Sequence, residues 1–240
     1  MVRRETLADQ VAQHIRDVID ARGLLPGDPI PTEIEITQEL GVSRGIVREA
    51  FRALSASGMI NVSSGRRSTV GALQSSVLQN FFSHALITSQ ADIDNLMTLR
   101  QAIEFSAVRL AAVNRTYSHL DQLKTTLDKM AVSLDRHNVY IQHDFQFHLL
   151  LCEASGNVLF RLLIESLSDA VHATMRAGIR NRKSENDKHL VQKKHEDVFL
   201  AVERGDEDAA EAAMRTHFDA AITAIRENIT TDKDLHKIRG

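Results

Sequence analysis

Asp144 and His148 stand four residues apart in "HDFQFH", so on a helix their side chains share one face, one turn apart. Such a pair can grip a divalent ion from one side. His195, in "KKHEDVFLAV", keeps the inward spacing of Val198, Phe199 and Val202; His217, in "AAMRTHFDAAI", falls among Ala213, Met214, Ala221 and Ile222. Both imidazoles sit beside core-facing residues, where a polar ring needs a partner. Taken singly, any of the eleven histidines reads better as a satisfied core or boundary residue. Taken jointly, one carboxylate and three imidazoles suit a divalent metal. Zinc comes first, with nickel or manganese as alternatives, and there is room for water or a ligand oxygen.

A second concentration of chemistry lies nearer the N-terminus. Between residues 44 and 67 there are five arginines (Arg44, Arg48, Arg52, Arg66 and Arg67) against the single Glu49, a local charge of +4. Residues 1–72 as a whole balance nine arginines against nine acidic residues. A guanidinium can pair with O6 and N7 of guanine or with phosphate, so a local cationic cluster on a neutral segment points to DNA.

The elements that must hold these arginines can be traced along the chain. Leu7, Val11, Ile15, Val18 and Ile19 recur at helical spacing and Gly23 ends that helix. All three prolines of the chain then fall in one window, "PGDPIP", at 26, 29 and 31. Proline fixes φ and lacks an N–H donor, so a stiff extended connector without regular structure is expected. Thr32 and Glu35 form a T-x-x-E capping box for a short helix that Gly41 ends, and Ser43 can cap the next, "RGIVREAFRALSAS". "MINVSSGRRSTV" has the pattern of a small hairpin. Helix, turn, helix and hairpin in this order form a winged helix-turn-helix. Its second helix would present Ser43, Arg44, Gly45 and Arg48 to the major groove, with the free N–H groups at the Ser43 end suited to a phosphate oxygen.

After Gly71 the composition changes. Amphipathic stretches follow at roughly 73–88, 92–113, 118–136, 138–154, 157–180, 185–204 and 206–229, a bundle of six or seven antiparallel helices. The expected fold is therefore mainly α: a winged domain at 1–72, a helical effector-binding and dimerisation domain at 73–229, and a flexible tail at 230–240. Hydrophobic residues make up 43% of the 240, and the net charge of −3 argues against a general basic coat. One cysteine, Cys152, excludes an intramolecular disulfide and fits a reducing compartment. There is no secretory signal and no apolar run of membrane-spanning length, so a cytoplasmic chain with no membrane partner is expected.

The stretch "GLLPGDPIPTEIEITQELGVSRGIVREAFRALSASGMINV" resembles the DNA-binding domain of the GntR family of bacterial transcription regulators. That resemblance implies an operator read by a homodimer, with contacts at Arg44, Gly45, Arg48 and the wing tip at Ser64 and Gly65. Ile34 stands where many members have arginine. The wing reads Gly65-Arg66-Arg67-Ser68-Thr69 in place of G-R-G-T, and the extra arginine implies a firmer grip on phosphate or the minor groove. The helical half is similar to the FCD effector domain of the FadR-type branch. Asp144, His148, His195 before "AVERGD" and His217 in "AAMRTH" match its metal-binding pattern one by one. "LRQAIE" at 99–104 matches its L-R-x-x-I/L-E helix, which implies that Arg100 faces the effector cavity and pairs with a carboxylate. The alternative for Arg100 is a surface salt bridge with Glu104.

A metal in a helical bundle could also serve a hydrolase, with Glu153 as a conceivable general base, or a purely structural role. The chain has no H-E-x-x-H, no G-x-S-x-G and no phosphate-cradling loop. The expected function is a ligand-responsive repressor. It binds a pseudo-palindromic double-stranded operator as a homodimer and senses a small organic acid at the metal.

Overall fold

The computed structural model describes residues 5–63, 65–181 and 185–231. The tail expected at 230–240 lies almost wholly outside that range. The chain divides after Val77 into two compact units.

The first unit holds α1 (Leu7–Ala21), α2 (Glu33–Leu40), α3 (Arg44–Ala56), β1 (Ile60–Asn61) and β2 (Thr69–Val70). Thr32 and Glu35 close the capping box at the start of α2, and Gly41, at φ +65°, ends that helix in the left-handed region. The Ser43 side chain accepts from the Ile46 N–H and starts α3. Val11, Ile15, Ile36, Val47, Phe51, Leu54 and Ile60 form one apolar core among these elements. Gly71 follows β2 where its N–H donates to the Met59 carbonyl at 2.8 Å. A Cβ there would lie 2.1 Å from the Gly58 carbonyl oxygen, so no larger residue fits without moving the backbone.

The proline connector corrects one expectation. It is extended, but it is also paired. Pro29 bridges Thr69 in antiparallel sense beside the β1–β2 pair. The Gly27 N–H donates to Val70 O at 2.9 Å, the Ile30 N–H to Ser68 O at 3.0 Å, and the Val70 N–H to Asp28 O at 2.9 Å. On the connector side the donors, Gly27 and Ile30, and the acceptor, Asp28, lie between the prolines, so the missing proline N–H groups cost no ladder bond. Ile30, held between Pro29 and Pro31, is fully buried. Replacing Pro29 and Pro31 together with alanine leaves these bonds possible but frees the unfolded chain. The expected result is a loss of roughly 1–2 kcal/mol in urea unfolding; an unchanged midpoint would show that the prolines do not rigidify the unit.

The second unit is helical: α4 (Ser75–Ile87), whose first three residues precede the division, α5 (Ile93–Asn114), α6 (Tyr117–Ala131), α7 (His137–Ala154), α8 (Val158–Ser166), α9 (Ser168–Asn181), α10 (Glu185–Arg204) and α11 (Glu207–Thr231). Among the described residues that is eight helices against the six or seven expected. The difference is at 157–180, read as one helix, which breaks at Leu167. No glycine or proline marks the break. Ile164, Leu167 and Val171 are all fully or almost fully buried, in the same apolar cluster. The Leu167 N–H turns back to Ile164 O at 3.1 Å, and the change of direction lets both segments bury their apolar faces.

Helix α7 is the axis of this unit. Eleven of its residues are buried. It contributes to two apolar clusters, one shared with α5, α6, α10 and α11, the other with α5, α8 and α9. A helix buried on nearly every side is expected to be apolar throughout, which makes Asp144 and His148 on it conspicuous.

Candidate metal site and nucleic-acid interface

On the first unit, Ser43, Arg44, Gly45 and Arg48 are all exposed along the first two turns of α3. Arg48 Nε lies 3.8 Å from Glu33 Oε2, a solvent-exposed pair of little net worth that leaves the guanidinium available. Gly65, at φ +72°, and Arg66 are exposed in the hairpin turn. Ser64 lies outside the described residues. Arg67, grouped with the other wing residues from its position, has partners within the chain. Its Nε donates to Ile30 O at 2.9 Å and its Nη2 to Glu35 Oε2 at 3.2 Å. It clips the wing to the proline connector and to the capping box of α2, so of the two wing arginines only Arg66 is uncommitted toward a nucleic acid.

In the second unit, the buried charged and imidazole side chains among the described residues are Arg100, Glu104, Asp144, His148, His195 and His217. All six belong to one cluster. Asp144 and His148 come from α7, His195 from α10 and His217 from α11. His195 Nε2 lies 3.0 Å from Asp144 Oδ1, and His148 Nε2 lies 3.8 Å from Asp144 Oδ2. The imidazole centroids are 4.3 Å apart for His195 and His217, 5.1 Å for His148 and His217, and 5.7 Å for His148 and His195. One ligand nitrogen from each of the three rings lies within 4.8 Å of the other two. Nitrogens bound about 2.1 Å from a common zinc sit about 3–3.5 Å apart, so a small inward movement completes the set.

The hydrogen bonds fix which nitrogen faces the centre. His195 Nδ1 lies 2.9 Å from Val191 O, and a carbonyl only accepts, so Nδ1 carries the proton and Nε2 points its lone pair inward. His148 Nδ1 donates to the Glu104 carboxylate, which turns its Nε2 inward as well. This is the carboxylate–imidazole arrangement that orients metal-binding histidines. His148 Nε2, His195 Nε2 and His217 Nδ1 are buried without a hydrogen-bond partner. The 3.0 Å contact of His195 Nε2 with Asp144 meets ion-pair distance but not hydrogen-bond direction. An unmet buried polar atom costs about 1–3 kcal/mol, and here three of them face one carboxylate. A cation taking all three lone pairs removes that cost, so the donor set fits a divalent metal.

Electrostatics agree. Burial alone would raise the Asp144 carboxyl, but the neighbouring imidazoles of His195, then His148 and His217, more than offset it and hold it well below the usual carboxylate range. Burial and the neighbouring His195 and His148 push His217 well below the ordinary imidazole value, which favours the neutral ligand form. Burial, then Glu104, pushes the Cys152 thiol up, so it stays protonated and outside the ligand set.

Arg100 is 3% exposed, and its Nε donates to Glu104 Oε1 at 2.8 Å. Its guanidinium lies 5.0 Å from the centroid of the Phe218 ring. The salt bridge with Glu104 is therefore real but buried, and it belongs to the site. Glu104 thus bonds Arg100 with one oxygen and His148 with the other, a role that sequence reasoning missed. Its carboxyl is subject to burial, which raises it, but Arg100 and His148 more than offset this and hold it low. Glu104→Gln removes the charge while keeping the shape. Metal affinity is expected to fall about 10–100-fold in competition with a chromogenic chelator; wild-type affinity in a folded variant would reduce Glu104 to packing. Glu153, the conceivable general base, is exposed and pairs with Arg161 Nε at 3.5 Å.

Among the described residues no helix is long and apolar enough to cross a membrane. Two family descriptions match the chain. "Bacterial regulatory proteins, gntR family" covers residues 7–70, and "FCD domain" covers residues 95–220. The first span contains the exposed arginines of α3 and the wing; the second contains Arg100 and all four candidate ligands. The HTH-type transcriptional repressor NanR of Citrobacter rodentium is 29% identical over 90% of this chain and 84% of that protein. The protein of the same name from Escherichia coli K12 is 28% identical over 90% of this chain and 83% of its own. A solved structure described as Streptococcus agalactiae GntR superposes with a TM-score of 0.67 at 21% identity, over 92% of this chain and 99% of that one, which shows a shared fold.

Proposed function

Because this chain belongs to the gntR family of bacterial regulatory proteins that carry an FCD domain, and is a transcription regulator and not an enzyme, we propose that it is a repressor whose operator affinity is set by a small organic acid held at a metal centre. Residues 1–72 read a pseudo-palindromic operator, two copies of the chain binding its two halves, and residues 73–229 sense the acid. Repression is supported by the relatives named as repressors.

The observation that carries the sensing half is the set of three partnerless buried imidazole nitrogens around Asp144, with Arg100 two bonds away through Glu104 and His148. Asp144, His148, His195 and His217 would hold the metal. Three nitrogens and one oxygen suit zinc, and also nickel or manganese in a larger shell. The bound metal supplies an anchor for a carboxylate oxygen. Asp144 and Glu104 against Arg100 leave one net negative charge among neutral imidazoles. A divalent ion turns that into one net positive charge, which a single carboxylate neutralises. The guanidinium of Arg100 can take the second oxygen of that carboxylate.

Linkage connects sensing to DNA. An acid that binds the operator-free form better by some factor lowers operator affinity by the same factor. The test is a thermal-shift screen of small carboxylates on metal-loaded and chelator-stripped protein. An acid at 100 times its Kd is expected to add about 2.7 kcal/mol of stability, to lose that effect after chelation, and to regain it with zinc. Acids that stabilise the stripped protein equally well would remove the metal from the sensing mechanism.

A further inference from the structure

Arg44, Arg48 and Arg52 stand four residues apart on α3 and form one exposed cationic stripe along the helix. The first two lie at the end that enters the major groove. Arg52 stands eight residues beyond Arg44, about 12 Å along the axis. A major groove is about 12 Å wide and about 8.5 Å deep. When Arg44 meets base edges, Arg52 is therefore already at the rim of the groove, level with the phosphates.

At that level α3 borders a cleft of about 550 Å³. Arg48, Phe51, Arg52 and Ser55 line it from α3; Glu33 of α2 and Val62, where the chain leaves β1 for the hairpin turn, also line it. A helix in the major groove with a hairpin beside it straddles the sugar–phosphate strand that bounds the groove. The cleft between them is the space that strand has to pass through.

The lining has the chemistry for it. Arg48 lies 3.8 Å from Glu33, whereas Arg52 has no hydrogen-bond or ion-pair partner among the described residues. Two guanidinium groups against one carboxylate leave one positive charge. A phosphodiester carries one negative charge and a terminal phosphate about −1.5 to −2, so the balance suits a strand interior. The half-buried Ser55, one turn beyond Arg52, offers a hydroxyl to a phosphate oxygen. Val62, half exposed, offers an apolar surface to a deoxyribose.

We propose that Arg52, with Ser55 beside it, holds the phosphodiester strand that bounds the groove read by α3, and so sets how deep the helix docks. Arg52 is then a positioning residue that carries no sequence information. This rests on the reading of α3 as the DNA-reading helix and adds to it.

The test uses the full chain, a selected operator and a scrambled duplex of the same length. Arg52→Ala is expected to weaken both about 10-fold and to lower the slope of log affinity against log salt by about one, with an unchanged urea midpoint. Arg52→Lys, which keeps the charge, should restore most of the affinity and the slope. Ser55→Ala should give a smaller loss on both duplexes. Operators carrying one neutral methylphosphonate at a time then locate the contact. At one phosphate per half-site the substitution should weaken wild type but leave Arg52→Ala unchanged. Methylphosphonates that affect variant and wild type equally at every position overturn the proposal. So does an Arg52→Ala loss confined to the operator, which would make Arg52 a base reader. Failure of the underlying reading looks different: Arg44→Ala and Arg48→Ala would bind the operator as wild type does, and α3 would not lie in the groove.

Discussion

Replacing His148 and His195 with alanine together is expected to leave a protein that holds less than about a tenth of an equivalent of metal and no longer answers to any organic acid, yet still binds its operator. The two residues supply two of the three buried nitrogens and both ion-pair contacts of Asp144. What remains is one imidazole and one carboxylate from two helices, too few donors for a closed site. Removing both partners also leaves Asp144 buried and uncompensated, at a cost of several kcal/mol, so the variant is expected to melt lower. Asp144→Asn is the gentler companion: it keeps the volume, removes the charge, and should weaken metal by more than the 10–100-fold expected of an outer-sphere change. Elemental analysis reads the metal, a gel shift with and without acid reads the response, and circular dichroism checks the fold. A folded double variant with full metal content would end the assignment of this site. One that has lost its metal but still releases DNA on adding the acid would separate sensing from the metal.

How much of this was legible before the structure depends on how local each signal is. The pairing of Asp144 with His148 could be read because a helix puts residues four apart on one face. His195 and His217 could be read because they interrupt inward apolar spacing on their own helices. The Thr32–Glu35 capping box and the Ser43 cap are local in the same way, and both are present. Glu104 was visible only as the neighbour of Arg100 one turn away. Its second oxygen meets His148, 44 residues further on, and no periodicity reports which face of α5 meets which face of α7. Arg67 carried the same ambiguity: a wing arginine looks free until the chain 37 residues earlier is seen to offer it the Ile30 carbonyl. The break at Leu167 left no trace because packing causes it and no turn residue marks it. The proline connector was legible as extended and stiff, whereas its pairing with the wing depends on register across 40 residues.

The Arg67 contact sharpens what to expect of the recognition surface. Arg44→Ala and Arg48→Ala should each weaken binding to a selected operator by about 1–3 kcal/mol, or roughly 5- to 150-fold, and relax preference at the base each one reads. Both side chains are exposed at the N-terminal end of α3, the end that enters the major groove in a winged helix-turn-helix, and neither is tied to a strong partner. Arg66→Ala should behave differently: a uniform loss on operator and random duplex alike, with a salt slope smaller by about one, as expected for a phosphate contact. Arg67→Ala should differ again. Its bonds run to Ile30 and Glu35, so the loss should register first in unfolding midpoint, with DNA affinity falling only as far as the wing loosens. Glu33→Gln gives the opposite sign, because it frees Arg48 from its 3.8 Å neighbour and removes a negative charge from the DNA face, so affinity should rise modestly. Gel shifts against the selected operator and a scrambled duplex at two salt concentrations separate these four behaviours. Wild-type binding by both the Arg44 and Arg48 variants would move recognition away from α3.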